Sequence, residues 1–124
     1  MATKTVLDVG NCSFDHGAIR RLIEGRFDAV VLRAHGPEDA LAALANKSVD
    51  LVLVNRILDR DGSDGIELIR QIKSNPALAE LPVMLVSNYE EYQEKAIQAG
   101  AERGFGKAEL EAPETLERLG AVLG

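Results

Sequence analysis

The sequence predicts a doubly wound α/β domain, and three observations predict it. The run Leu51-Val52-Leu53-Val54, bounded by Asp50 and Asn55, is apolar on both faces, as a strand in the middle of a parallel sheet must be. Four other short apolar runs alternate with stretches whose apolar residues keep helical spacing. The junctions carry residues that start or stop helices, among them Pro37, Asn75-Pro76 and Pro113. Right-handed crossovers then leave very few topologies.

The elements follow in order. Lys4 to Val9 is a short apolar strand ending in Gly10-Asn11-Cys12-Ser13. Ser13 or Asp15 can cap the next helix, which carries Ile19, Leu22 and Ile23 at helical spacing and ends at Gly25. A second strand is expected over Phe27 to Leu32. After the turn His35-Gly36, Pro37 stands at the first helical position with Glu38-Asp39 at the positive helix end. Ala40, Leu41 and Leu44 face inward, and Asn46-Lys47-Ser48 closes this helix. The central strand runs to Asn55 and gives way to an Asp- and Gly-rich loop, Arg56 to Ser63. Asp64 caps a helix with Ile66, Ile69 and Ile72 on one stripe, which stops at Asn75-Pro76. Leu81 to Val86 is the fourth strand, ending at Ser87-Asn88. Tyr89 to Gly100 is a helix, Arg103 to Gly106 a brief fifth strand, and Pro113 opens a last amphipathic helix through Leu116, Leu119 and Leu123.

At 124 residues the chain is expected to form one domain, 1–124, with a core of its own. A net charge of -6 argues against a nucleic-acid surface or an anionic membrane as partner. Cys12 is the one cysteine, so no internal disulfide can form, which fits a reducing cytoplasm. No apolar run approaches the ~20 residues of a membrane span. The start Met-Ala-Thr-Lys leads straight into a strand, and no leader is expected there. His16 and His35 have no Cys or His at ligand spacing. In an open parallel sheet, chemistry gathers beyond the carboxyl ends of the strands, and Asn55 stands at such an end.

Four stretches together resemble the receiver domain of two-component response regulators. They are Asp50 to Val54, Asp64-Gly65-Ile66-Glu67-Leu68-Ile69, Leu81 to Ser87, and Ala99-Gly100-Ala101 leading to Lys107. The resemblance covers the whole chain and implies a flavodoxin-like sheet of five parallel strands in the order 2-1-3-4-5. It also implies a phosphoacceptor at the end of the third strand, where this chain has Asn55, and a magnesium-holding acidic pair after the first strand, where it has Gly10 and Asn11. A register slipped by one or two residues would make Asp8 a substitute in that pair and bring it toward Lys107. The phosphate-contacting hydroxyl and lysine match Ser87 and Lys107. The proline that usually follows the lysine is replaced by Ala108. The switch aromatic falls on Gly104, with Phe105 beside it.

The departures shape the expected function. An amide is no nucleophile for phosphoryl transfer, and magnesium favours carboxylates that Gly10 and Asn11 do not offer. Magnesium binding is therefore expected to be weak or absent, and Asn55 is read as a blocked acceptor bonding loop amides or the Lys107 ammonium. The expectation is a degenerate, non-enzymatic receiver in the cytoplasm that binds signalling proteins without phosphorylation. By family analogy the face of the fourth helix, fifth strand and fifth helix docks a partner or a second copy, here through Tyr92, Lys95 and Phe105. Two rivals stand beside this reading. One is a receiver still phosphorylated through Asp8 and loop Asp59 or Asp61; the other is a small anion binder using Lys107, Ser87 and Asn55. The loop aspartates Asp59, Asp61 and Asp64 fall short of the calcium-loop pattern and suit a solvated turn.

Overall fold

The computed structural model describes residues 3–124. Its strands are β1 (Lys4–Val9), β2 (Ala29–Ala34), β3 (Leu51–Asn55), β4 (Val83–Val86) and β5 (Glu102–Phe105), and its helices α1 (Ser13–Arg26), α2 (Pro37–Asn46), α3 (Gly65–Ser74), α4 (Glu90–Gln98) and α5 (Pro113–Leu123). A single 3₁₀ turn, Lys107–Glu109, precedes α5. All strands are parallel in one sheet of order β2-β1-β3-β4-β5, the flavodoxin-like topology.

Apolar periodicity explains which layer each element joins. Leu51, Val52, Leu53 and Val54 are each fully buried, because β3 is central and covered on both faces. Alternate side chains feed two cores. One joins Leu7, Val52, Val54 and Leu85 to Leu44 of α2, Ile66 and Ile69 of α3 and Ala96 of α4. The other joins Val6, Leu53, Met84 and Phe105 to Ile19 and Ile23 of α1 and Leu119 of α5. Asp64 caps α3 by accepting from the Ile66 amide at 2.9 Å. Asp39 caps α2 by accepting from the His35 and Gly36 amides, both at 2.8 Å.

Several boundaries differ from the sequence reading. β2 starts at Ala29, because the Phe27 amide still bonds to the Ile23 carbonyl at the end of α1, and Gly25 lies inside that last turn. Neither Ser13 nor Asp15 caps α1; Cys12 holds the cap position with no side-chain cap bond. Pro82, lacking an amide hydrogen, stands just outside β4, which begins at Val83. α4 begins one residue after Tyr89 and ends at Gln98, ahead of Gly100 with its φ of 109°. β5 takes in Glu102 and excludes Gly106.

Candidate functional site

The strand order reverses between β1 and β3, so the crevice at their carboxyl ends is the natural place for a site. Asn55 ends β3 there. Its Nδ2 donates to the Gly10 carbonyl at 3.2 Å and to the Ile57 carbonyl at 2.7 Å. Gly10 follows β1 with φ 80°, and a Cβ at that position would lie 2.5 Å from Leu58 Cδ2 and 2.9 Å from Leu58 Cα. Leu58 is fully buried in the core beneath this turn. The loop carrying it is pinned by the Asp59 amide bonding to the Gly10 carbonyl at 3.1 Å and the Leu58 amide to the Ser63 carbonyl at 2.9 Å. A loop that composition marks as polar therefore supplies a core residue, and that residue closes the Gly10 position to any side chain.

Neither partner expected of Asn55 is found: it donates to carbonyls instead of bonding loop amides, and no bond to Lys107 is formed. Lys107 Nζ pairs instead with Asp15 Oδ2 of α1 at 2.8 Å. That ammonium, as a hydrogen-bond donor above all, holds the Asp15 carboxyl below the usual carboxylate range, and the Cys12 thiol adds a bond at 3.4 Å. The sequence offers Asp15 only as a cap; the 91 positions between it and Lys107 hide the pairing from any local pattern. Ser87, 9% exposed, accepts from the Tyr89 amide at 3.3 Å and so serves the start of α4. An open cleft of about 610 Å³ is lined by Asn55, Ser87 and Lys107 together with Arg56, Tyr89 and Tyr92. Arg56 lies over the Tyr92 ring at 3.9 Å and donates to its hydroxyl at 3.0 Å, so both are held in place.

The switch-aromatic position is closed as well. A Cβ on Gly104 would meet the Leu85 carbonyl oxygen at 2.0 Å. Beside it lies Gln93 of α4, a buried residue that sequence reading missed. Its Nε2 donates to the Leu85 and Ser87 carbonyls at 3.0 and 3.1 Å, and its Oε1 accepts from the Gly104 amide at 3.0 Å. Gln93 thus bridges β4 and β5 where their register shifts. Phe105 is 2% exposed and packs in the core, so it does not contribute to an exposed docking face. Tyr92 is half-buried and Lys95 exposed, with the Lys95 ammonium 5.4 Å from the Tyr92 ring centre.

Asp8 lies inside β1, fully buried, and is remote from the role of pairing with Lys107. Its carboxylate accepts from Asn11 Nδ2 at 2.5 Å and pairs with His16 Nδ1 at 2.7 Å. Burial pushes its pKa up, against the opposing pull of the Asn11 and His16 bonds and the Arg33 charge. Asp59, far from being a free acceptor, sits 3.6 Å from Arg33 and 3.1 Å from His35, and Asp61 accepts from the Ser63 amide at 2.9 Å within its own turn.

These residues do not fit the magnesium that receivers hold. Gly10 has neither a side chain nor room for one, the Asn11 amide is committed to Asp8, and the Asn55 amide points its nitrogen at the two carbonyls. Asn11 Oδ1 is the sole buried oxygen of this group without a partner among the described residues, and one amide oxygen is far short of an octahedral set. Among the described residues no group of three His, Cys, Asp or Glu side chains is arranged to hold a metal ion. No helix among them is long and apolar enough to cross a membrane.

Known proteins of the same shape agree with this architecture. A response regulator from Thermotoga maritima superposes with a TM-score of 0.80 over 98% of both chains at 24% identity. The signal receiver domain of a DNA binding response regulator from Colwellia psychrerythraea 34H gives 0.75 over 97% of this chain and 99% of its own, at 25% identity. The gliding motility regulatory protein of Myxococcus xanthus is 31% identical over 102 residues, which are 77% of this chain and 13% of that much longer protein. The sequence pattern of the response regulator receiver domain matches residues 15–118. The chain belongs to the response regulator receiver domain family, the signalling domain of two-component systems.

Proposed function

We propose that this receiver signals by binding other proteins and is not itself phosphorylated. The observation that carries this reading is the Asn55 amide at the acceptor position, turned inward onto the Gly10 and Ile57 carbonyls. Phosphoryl transfer to a side chain requires an anionic oxygen there and a cation beside it. The chain supplies an amide nitrogen, and Leu58 occupies the space an acidic neighbour would need. The rival acceptors Asp59 and Asp61 are engaged by Arg33, His35 and the Ser63 amide.

Docking is assigned to α4 and its surroundings, where Tyr92 and Lys95 are accessible and Phe105 provides internal support only. A second copy or a signalling protein fits such a face. The net charge of -6 disfavours nucleic acid, and a lone unpaired Cys12 suits the cytoplasm. The test is exposure to a small phosphodonor with millimolar magnesium, followed by intact-mass analysis. No mass gain of a phosphoryl group is expected, and capture of a partner should be the same before and after treatment. A stoichiometric adduct mapping to Asp59 or Asp61 would overturn the reading.

A further inference from the structure

We infer that the crevice end of this domain is a self-association surface, in which Phe14 of each copy enters the cleft of the other. The inference rests on the phosphorylation-independent reading above, since a phosphodonor must reach the end of β3 and a covered crevice denies it entry. Five large apolar side chains are exposed among the described residues, and three of them gather at this end. Phe14, in the first turn of α1, is 79% exposed; Tyr89, at the start of α4, is 64% exposed and Ile57, in the loop after β3, 48%. Apolar surface left in water is costly, and a rim of such residues round a cleft marks a place where another surface docks.

The cleft supplies the matching socket. At about 610 Å³ it has ample room for a phenyl ring, and Ile57, Val86, Tyr89 and Tyr92 stand in its lining. The Tyr92 ring is held by Arg56 and meets Tyr89 edge to face, so an aromatic wall is in place before anything enters. Knob and socket are neighbours: Asp15, next to Phe14, pairs with Lys107, which lines the cleft. One surface thus carries both halves of a contact, as two identical copies need in order to close on a two-fold axis, here near the Asp15–Lys107 pair. A foreign partner would need only one half. Charge agrees. Arg56 and Lys107 balance Glu91 and Asp15 at this end, although the chain as a whole carries -6, so two copies meet here without the repulsion of like charges. Lys95 and Ile97 lie outside the cleft lining and stay free on α4 for a signalling protein.

Two rings and their rim make a small interface, under the roughly 1,200 Å² of stable complexes, so the dimer is weak. The experiment is sedimentation of the wild-type chain from micromolar to millimolar concentration, beside Phe14→Ser, Tyr89→Ala and, on α4, Ile97→Ser. The wild type should pass from monomer to dimer. Phe14→Ser and Tyr89→Ala should each weaken association by roughly tenfold or more at an unchanged melting temperature, and Ile97→Ser should not. Mixed together, Phe14→Ser and Tyr89→Ala restore one intact knob and one intact socket, so they should bind each other more tightly than either binds itself. The inference is overturned if the wild type stays monomeric at millimolar concentration, if Phe14→Ser dimerises as the wild type does, or if the mixed variants show no preference for each other. The failures are separable: a phosphoryl adduct on the wild-type chain sinks the proposed function, whereas a wild-type monomer that takes no adduct sinks only this inference.

Discussion

At the scale of single residues, the site is defined by partners that differ from those the family pattern assigns. Lys107 is the clearest case. It keeps its place at the end of β5, yet its charge is spent on Asp15 of α1 at 2.8 Å, with both side chains partly exposed. Because Lys107 holds the Asp15 pKa below its ordinary value, the sign of the pH effect follows. A carboxyl depressed in the folded state contributes stability in full above its unfolded pKa, and that contribution is lost as the pH falls through the folded pKa. Asp15→Asn should therefore lower the urea midpoint at neutral pH, by no more than about 0.5–1 kcal/mol for a partly exposed pair. In strong acid, below the carboxylate range, the variant and the wild type should converge. Equal midpoints at neutral pH would show that the pair contributes nothing. Neither the Asp15 pairing nor the Leu58 plug was legible in the sequence. The first depends on a contact between the two ends of the chain, and the second puts an apolar residue from a loop of Asp, Arg and Gly into the core.

At the scale of elements, local signals were readable wherever one residue type decides the outcome. Pro37 and Pro113 open α2 and α5, and Asp64 caps α3, each as helix chemistry dictates. The edges of β2 and α4 were not readable, because a backbone bond at Phe27 and the glycine turn at Gly100 decide them rather than hydrophobicity. Gln93 belongs to the unreadable class too, since a glutamine beside Glu90, Glu91, Glu94 and Lys95 gives no sign of facing inward. Yet it fastens α4 to two strands through three bonds. Gln93→Ala leaves the buried Gly104 amide and the Leu85 and Ser87 carbonyls short of a partner, which should cost about 1–3 kcal/mol. Hydrogen exchange should quicken in α4 and β5 while β1 and β3 stay protected, because local opening need not involve the central sheet. Gln93→Glu keeps the bond from the Gly104 amide but turns its other oxygen toward two carbonyls, so it should not rescue the loss. Uniform loss of protection across the sheet would mean that Gln93 supports the whole fold rather than α4 alone.

At the scale of the whole molecule, the two cores pack β3 and β4 on both faces, so a conformational switch would be expected in α4, β5 and their loops. In this chain that region is fastened from several directions. Gln93 bridges Leu85, Ser87 and Gly104, Phe105 is packed into the core with Val86 and Leu119, and Arg118 of α5 donates to the Gly104 carbonyl at 3.2 Å. Arg56 holds Tyr92 of α4 by a bond to its hydroxyl. A two-state element needs two arrangements within a few kcal/mol of each other. Here a second arrangement would break several bonds at once, and no side chain at position 104 is present to move. The receiver is therefore expected to occupy one conformation. Relaxation-dispersion NMR should show flat profiles through α4 and β5, and adding magnesium with beryllofluoride, a mimic of the phosphoryl group, should leave the amide positions of Ser87, Gly104 and Lys107 unchanged. Millisecond exchange confined to α4 and β5 would mean that a minor state survives, and its response to beryllofluoride would then decide whether the crevice or a docked partner controls it.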